Sequence, residues 1–176
     1  MPDLIRDGAV VADDRVVLRP EAGTDAALTN LPAGPFIAPL SLWQARADEL
    51  AARGAGLWLA PADDPEASLP FLGRVALVAV DFPRFTDGRG YSTAWLLRAR
   101  HGYRGELRAI GDVLPDQLLA MRRCGFDSFA LRPDRKAEHA LRALSAFSEA
   151  YQGSWEQPLP VWRRAARPEA GAGEAS

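Results

Sequence analysis

From Phe36 onward, short apolar runs alternate with stretches of helical spacing, and this alternation constrains the fold more than any other feature of the chain. The runs are Phe36–Leu40, Leu57–Ala60, Val75–Val80, Leu107–Ile110 and Ser128–Leu131. Val75–Val80 is continuously apolar, which suits a strand covered on both faces, as in a parallel sheet. Between the runs the spacing predicts helices over 41–53, 65–72, 92–100 and 113–124, with Gly54, Gly102 and Gly125 as stops. Ser41 with Gln44 has the spacing of a capping box, and Asp112 and Asp134 stand where N-caps belong. Beyond Asp134 an apolar stripe runs through Ala137, Leu141, Leu144, Phe147 and Tyr151, predicting the longest helix. Strands alternating with helices predict βαβ units. The expected fold is therefore α/β: an N-terminal β-hairpin followed by about five βα units in a mostly parallel sheet. The sheet is either an open three-layer arrangement or an incomplete, barrel-like arc. A full (β/α)₈ barrel takes about 250 residues, more than this chain's 176.

The flanks differ from this core. Leu4-Ile5-Arg6 and Val10-Val11 surround the turn signal Asp7-Gly8, and Arg15–Leu18 follows Asp13-Asp14, so residues 1–19 are expected to form the hairpin region. Residues 20–35 carry Pro20, Gly23, Asn30, Pro32, Gly34 and Pro35 and are expected to be a loop or linker. The α/β core then spans 36–151. Residues 152–176 sustain no period and are expected to form a flexible tail. Within that tail, Trp155 and Trp162 near Arg163, Arg164 and Arg167 either dock on a partner or fold back on the domain.

Composition removes several function classes. The formal net charge of −2 supplies no basic field for nucleic acid. One cysteine, Cys124, and two histidines cannot by themselves build an iron–sulfur or structural zinc site, so neither metal nor cofactor is expected. Residues 1–7 have acids and no apolar core of a signal peptide. No apolar run is long enough to cross a bilayer, and a cytoplasmic location is the expectation.

Candidate functional residues come from the rule that ligands bind outside the carboxyl ends of parallel strands. That rule selects Asp63, Asp64, Asp81, Phe82, Arg84, Gly111, Asp112, Arg132 and Asp134. The richest loop is Phe85-Thr86-Asp87-Gly88-Arg89-Gly90-Tyr91-Ser92, which leads into a helix. Its glycines let backbone approach a ligand, and Arg89, Ser92 and the helix N–H groups suit an oxyanion or phosphate. The candidate set is Arg84, Asp87, Arg89, Tyr91, Ser92, Asp112 and Arg132. Each also has a plain structural reading. Asp112 is explained by helix capping and Asp87 by turn formation. Cys124, at the carboxyl end of its predicted helix, faces a dipole that disfavours a thiolate.

The stretches FPRFTDGRGYSTAWLLR (82–98) and YRGELRAIGDVLPDQLLAMRRCGFDSFALR (103–132) resemble a bacterial domain-of-unknown-function family. Its members are commonly encoded beside assimilatory sulfite reductase and phosphoadenylyl-sulfate reductase, and many are labelled oxidoreductases of sulfite reduction. Members more often carry Arg where this chain has Trp95. The resemblance implies a place in cysteine biosynthesis and supplies no catalytic residues. What it implies is an accessory protein of sulfate and sulfite reduction that binds a reductase, either sulfite reductase or phosphoadenylyl-sulfate reductase. The alternative is a small enzyme or binding protein for a sulfur oxyanion or phosphorylated intermediate at the 85–92 loop.

Overall fold

The computed structural model describes residues 4–19, 29–145, 152–155 and 157–164. The expectations for 20–28, for Phe147 and Tyr151 in the apolar stripe, and for 165–176 lie outside the described residues. Eight strands form one sheet: β1 (Leu4–Arg6), β2 (Ala9–Val11), β3 (Val16–Val17), β4 (Phe36–Pro39), β5 (Gly56–Leu59), β6 (Leu77–Phe82), β7 (Glu106–Gly111) and β8 (Ser128–Ala130). Their spatial order is β2-β1-β8-β7-β6-β5-β4-β3. The pairs from β3 through β8 are all parallel, whereas β1 pairs antiparallel with both β2 and β8.

Five helical segments follow β4 to β8 in turn. They are α1 (Leu40–Ala52), a 3₁₀ turn leading into α2 (Leu69–Leu72), α3 (Arg89–Trp95), a 3₁₀ turn leading into α4 (Leu118–Arg123), and α5 (Ala137–Ser145). A last short helix, α6, covers Val161–Arg164. Among the described residues no helix is long and apolar enough to cross a membrane.

Sequential strand order means that the sheet curls rather than switching direction, so the expected α/β fold takes its arc form. Chain length requires the curl. β2 and β3 are the two edges of the sheet, yet only Ala12–Arg15 joins them. A flat eight-stranded sheet would hold its edges about 34 Å apart at roughly 4.8 Å per strand. The steps from Val11 to Val16 reach at most about 18 Å. The sheet therefore bends into a half-barrel whose open side is strapped by 12–15.

The two faces of the arc have different cores. Leu57, Val78, Val80, Phe82, Leu107, Ala109 and Phe129 point outward and pack against the helices through Trp43, Leu50, Leu97, Leu118, Met121 and Leu144. The alternate strand positions point inward, where Ile37, Leu77, Ala79 and Ile110 gather with Val17, Trp58 and Ala130, and no helical residue joins them. Arg108 shares this inner face, since it stands between Ala79 and Ser128 in register. It is 1% exposed, and its charge is met by Glu106 at 2.8–2.9 Å and by Asp13 of the strap at 2.6 Å. Ser128 donates to the same Glu106 oxygen at 2.6 Å. Burying a guanidinium requires such a full set of partners.

Several local expectations are corrected. The hairpin contains β1 and β2, closed by Asp7 and Gly8 at φ 52° and 74°, the conformation of a two-residue turn. The third N-terminal run leaves that hairpin and forms β3 at the opposite edge, parallel to β4. α1 starts at Leu40, one residue before Ser41, and no side chain caps it. α3 starts at Arg89 and continues as a π-helical turn over Leu96–Arg100. α5 is described over Ala137–Ser145, and the expected remainder of that helix lies outside the described residues. α5 begins at Ala137, and Asp134 binds Arg132. In the tail, Trp155 N–H donates to the Arg123 carbonyl at 3.0 Å, and the Arg104 guanidinium lies 5.0 Å from the Trp155 ring. This part of the tail folds back on its own domain.

Candidate functional site

Six parallel strands, β3 to β8, end at one rim of the arc, and the exit residues of four of them, β3, β6, β7 and β8, line a cleft of about 500 Å³ there. β6 extends two residues past the apolar run and carries Asp81 and Phe82 to the rim. Period-two alternation turns Phe82 outward into the helix-side core and leaves Asp81 on the inner face. β3 delivers Arg19, β7 delivers Gly111 and Asp112, and β8 delivers Arg132.

Arg19 binds Asp81 through both terminal nitrogens, at 2.6 and 3.1 Å. The Asp81 side chain is 7% exposed and that of Arg19 49%, so a half-exposed cation covers a buried anion. The guanidinium also lies 5.0 Å from the Trp58 ring, whose N–H donates to the Leu18 carbonyl. Asp81 holds the Arg19 proton more tightly than usual, chiefly through the hydrogen bonds.

Asp112 and Arg132 form the other wall, joined at 2.9 Å. Arg132 also grips Asp134 through two nitrogens at 2.6 and 2.9 Å. The Asp134 hydrogen bonds, with Asp112 adding to them, raise the Arg132 pKa, and Arg132 in turn lowers that of Asp134. Asp112 is not the helix cap expected from its position, because the following 3₁₀ turn starts after Leu114. Its second oxygen instead accepts the Phe85 N–H at 2.9 Å and ties the β6 loop to the β7 loop. Gly111 makes this approach feasible. It sits at φ 95°, and a Cβ there would lie 2.4 Å from the Phe82 carbonyl oxygen and 2.9 Å from an Asp81 oxygen.

The structure therefore brings together Asp112 and Arg132 of the candidate set with Asp81, which the strand-end rule had also selected, and adds Arg19. Arg84, Asp87, Arg89, Tyr91 and Ser92 do not line the cleft. Arg89 is occupied within its own loop, bonded to Asp87 at 2.7 and 3.0 Å. Asp87 also accepts the Arg89 backbone N–H at 3.2 Å, and these bonds lower its pKa. Tyr91 packs edge-on against Phe82 at 5.5 Å, and burial raises its pKa. Arg84 and Ser92 are solvent-facing or partly so, with Arg84 closing a turn through its carbonyl. Arg19 was legible only as the residue after an apolar run, and its partner stands 62 positions away. Burial raises the Cys124 pKa, with Arg123 opposing. Among the described residues, no group of three or more His, Cys, Asp or Glu is placed to hold a metal ion.

Taken together, the cleft lining carries two cations and two anions, Arg19, Arg132, Asp81 and Asp112. Such a rim can orient a small polar ligand through paired donors and acceptors. No curated protein and no solved structure matches the chain. A family model does match, over residues 56–162, from β5 to the start of α6 and including every cleft residue except Arg19, so this chain belongs to DUF934, described as "Bacterial protein of unknown function".

Proposed function

We propose that the chain is an accessory protein of assimilatory sulfate and sulfite reduction, acting in cysteine biosynthesis by docking on sulfite reductase or phosphoadenylyl-sulfate reductase. The pathway rests on the resemblance carried by residues 82–98 and 103–132. The observation that favours docking over chemistry is the exposure of Phe85 (53%) and Trp95 (47%) within the first of those segments. Large aromatic side chains left in solvent are costly to solubility and are the residues that dominate binding energy at interfaces. Arg, the residue more often found at the Trp95 position, is also enriched at such hot spots, which suits a contact surface better than a reacting centre. The oxyanion alternative at the 85–92 loop is weakened because Asp87 already neutralises Arg89.

The test is genetic and biochemical together. Deletion should impair growth on sulfate or sulfite and leave growth on cysteine normal. Tagged protein should co-purify with a reductase subunit, and Phe85→Ala with Trp95→Ala should abolish that capture without lowering Tm. Arg89→Ala should complement fully. Normal growth of the deletion strain on sulfate, with no reductase captured, would overturn the reading.

A further inference from the structure

We infer that the rim cleft binds a small zwitterion of the α-amino-acid class, a ligand carrying a carboxylate and an ammonium group a few ångströms apart. The inference is independent of partner docking, because neither Phe85 nor Trp95 lines the cleft.

The first ground is charge balance. Arg19 and Arg132 face Asp81 and Asp112, so the lining is formally neutral. A free dianion such as sulfate would add two uncompensated negative charges beside two carboxylates. An organic cation would meet two guanidinium groups. A ligand with one charge of each sign leaves the balance at zero and can place each charge against its opposite.

The second ground is unused hydrogen-bonding capacity. A guanidinium has five N–H donors and a carboxylate about four acceptor sites. Arg19 spends two donors on Asp81, and Arg132 spends three on Asp112 and Asp134. Asp81 accepts two bonds, and Asp112 accepts one from Arg132 and one from Phe85 N–H. Among the described residues, both signs therefore retain capacity within one cleft. Their mutual pairing fixes each group in advance, and preorganisation lowers the cost of binding.

The third ground is location and shape. The cleft lies outside the carboxyl ends of parallel strands, where α/β folds carry ligands. Its lining includes the exposed ring of Pro83, an apolar surface for a short side chain. About 500 Å³ accommodates an amino acid and falls within the range of small-molecule pockets.

The experiment measures thermal unfolding of the full chain with each proteinogenic L-amino acid at millimolar concentration. Sodium sulfate, propionate and ethylamine are run in parallel, and any active compound is titrated by calorimetry. At least one amino acid should raise Tm by about 3 °C or more, while propionate and ethylamine, each carrying half the recognition, should not. Arg19→Gln and Arg132→Gln should each remove the shift and the calorimetric signal while circular dichroism stays native. Arg19→Gln is the safer of the two, since that side chain is half exposed. The inference is overturned if no amino acid shifts Tm, if sulfate shifts it as much as the best amino acid, or if a folded variant keeps the full signal.

Discussion

Two arginines at opposite ends of the strands show how the same residue type serves different purposes. At the amino end, Arg98 lies in the π-helical turn and is 3% exposed. It donates to the backbone carbonyls of Tyr103, Gly105 and Gly125 at 2.8 Å and to the Asp127 carboxylate. Asp127 also accepts the Leu107 N–H, so this one guanidinium joins the segments entering β7 and β8. At the carboxyl end, Arg132 is 35% exposed, and its partners are carboxylates, Asp112 and Asp134. The difference lies in the acceptors. Carbonyls buried against Arg98 have no water to replace it, so the arginine is structural. Side-chain carboxylates at an open cleft can exchange partners with solvent or ligand, so those charges are available for recognition.

The comparison is tested most severely at Arg98. Arg98→Ala leaves three backbone carbonyls without their donor and Asp127 without its cation. A loss of about 3–5 kcal/mol is expected, read as a large drop in the urea midpoint. A loss no greater than that of an exposed arginine would mean that water replaces the side chain, and the distinction between the two ends would fail.

Gly111 brings the same logic to the rim. At φ 95°, with the Phe82 carbonyl 2.4 Å from an added Cβ, Gly111→Ala forces backbone rather than a flexible side chain to move. A cost of about 2–4 kcal/mol is expected. The rim should also open, so the variant should lose any ligand-induced rise in Tm. A variant of unchanged stability would show that the rim is looser than its geometry indicates.

These effects bear on what was legible in the chain. The β-hairpin turn announces itself in Asp7-Gly8, and the alternation from Phe36 onward identifies the five βα units, because both signals are local. β3 was misplaced because its partner β4 follows a long connection, and parallel pairing leaves no turn signature. Asp112 and Asp134 stand where caps belong, yet each finds a stronger long-range or loop partner in Arg132. The 85–92 loop stood out because it is rich in polar residues and glycine, and the pairing of Asp87 with Arg89 within it is as local as that signal. Arg19 carried no signal beyond ending an apolar run, since its place in the cleft comes from the curl of the sheet that brings β3 to the same rim as β6.

A pH titration separates the inner network from the rim. Burial alone would raise the Glu106 pKa, but the Ser128 hydroxyl and the Arg108 guanidinium outweigh it and hold the value below the ordinary 4.5. A carboxylate depressed in the folded state stabilises the fold above its unfolded pKa. That contribution should therefore be intact at neutral pH and fade as pH falls from about 4.5 through the depressed value. Glu106→Gln should flatten the slope of urea stability against pH in that window. An unchanged slope would mean that other carboxylates dominate acid unfolding.

The smallest stability effect belongs to Arg132, and it is the most informative about function. Its pair with Asp134 is exposed to water and its pair with Asp112 is only partly buried, and solvent screening keeps the contribution of such pairs to folding small. Arg132→Ala should therefore shift the urea midpoint by only a small fraction of the Arg98→Ala effect. The same change removes the cation that pairs with Asp112 in the cleft, so ligand binding should be lost. Stability and recognition should thus separate at the two ends, with Arg98→Ala failing through the fold and Arg132→Ala failing with the fold intact. If Arg132→Ala unfolds the protein as readily as Arg98→Ala does, both clusters are structural, and the rim loses its claim to be a site.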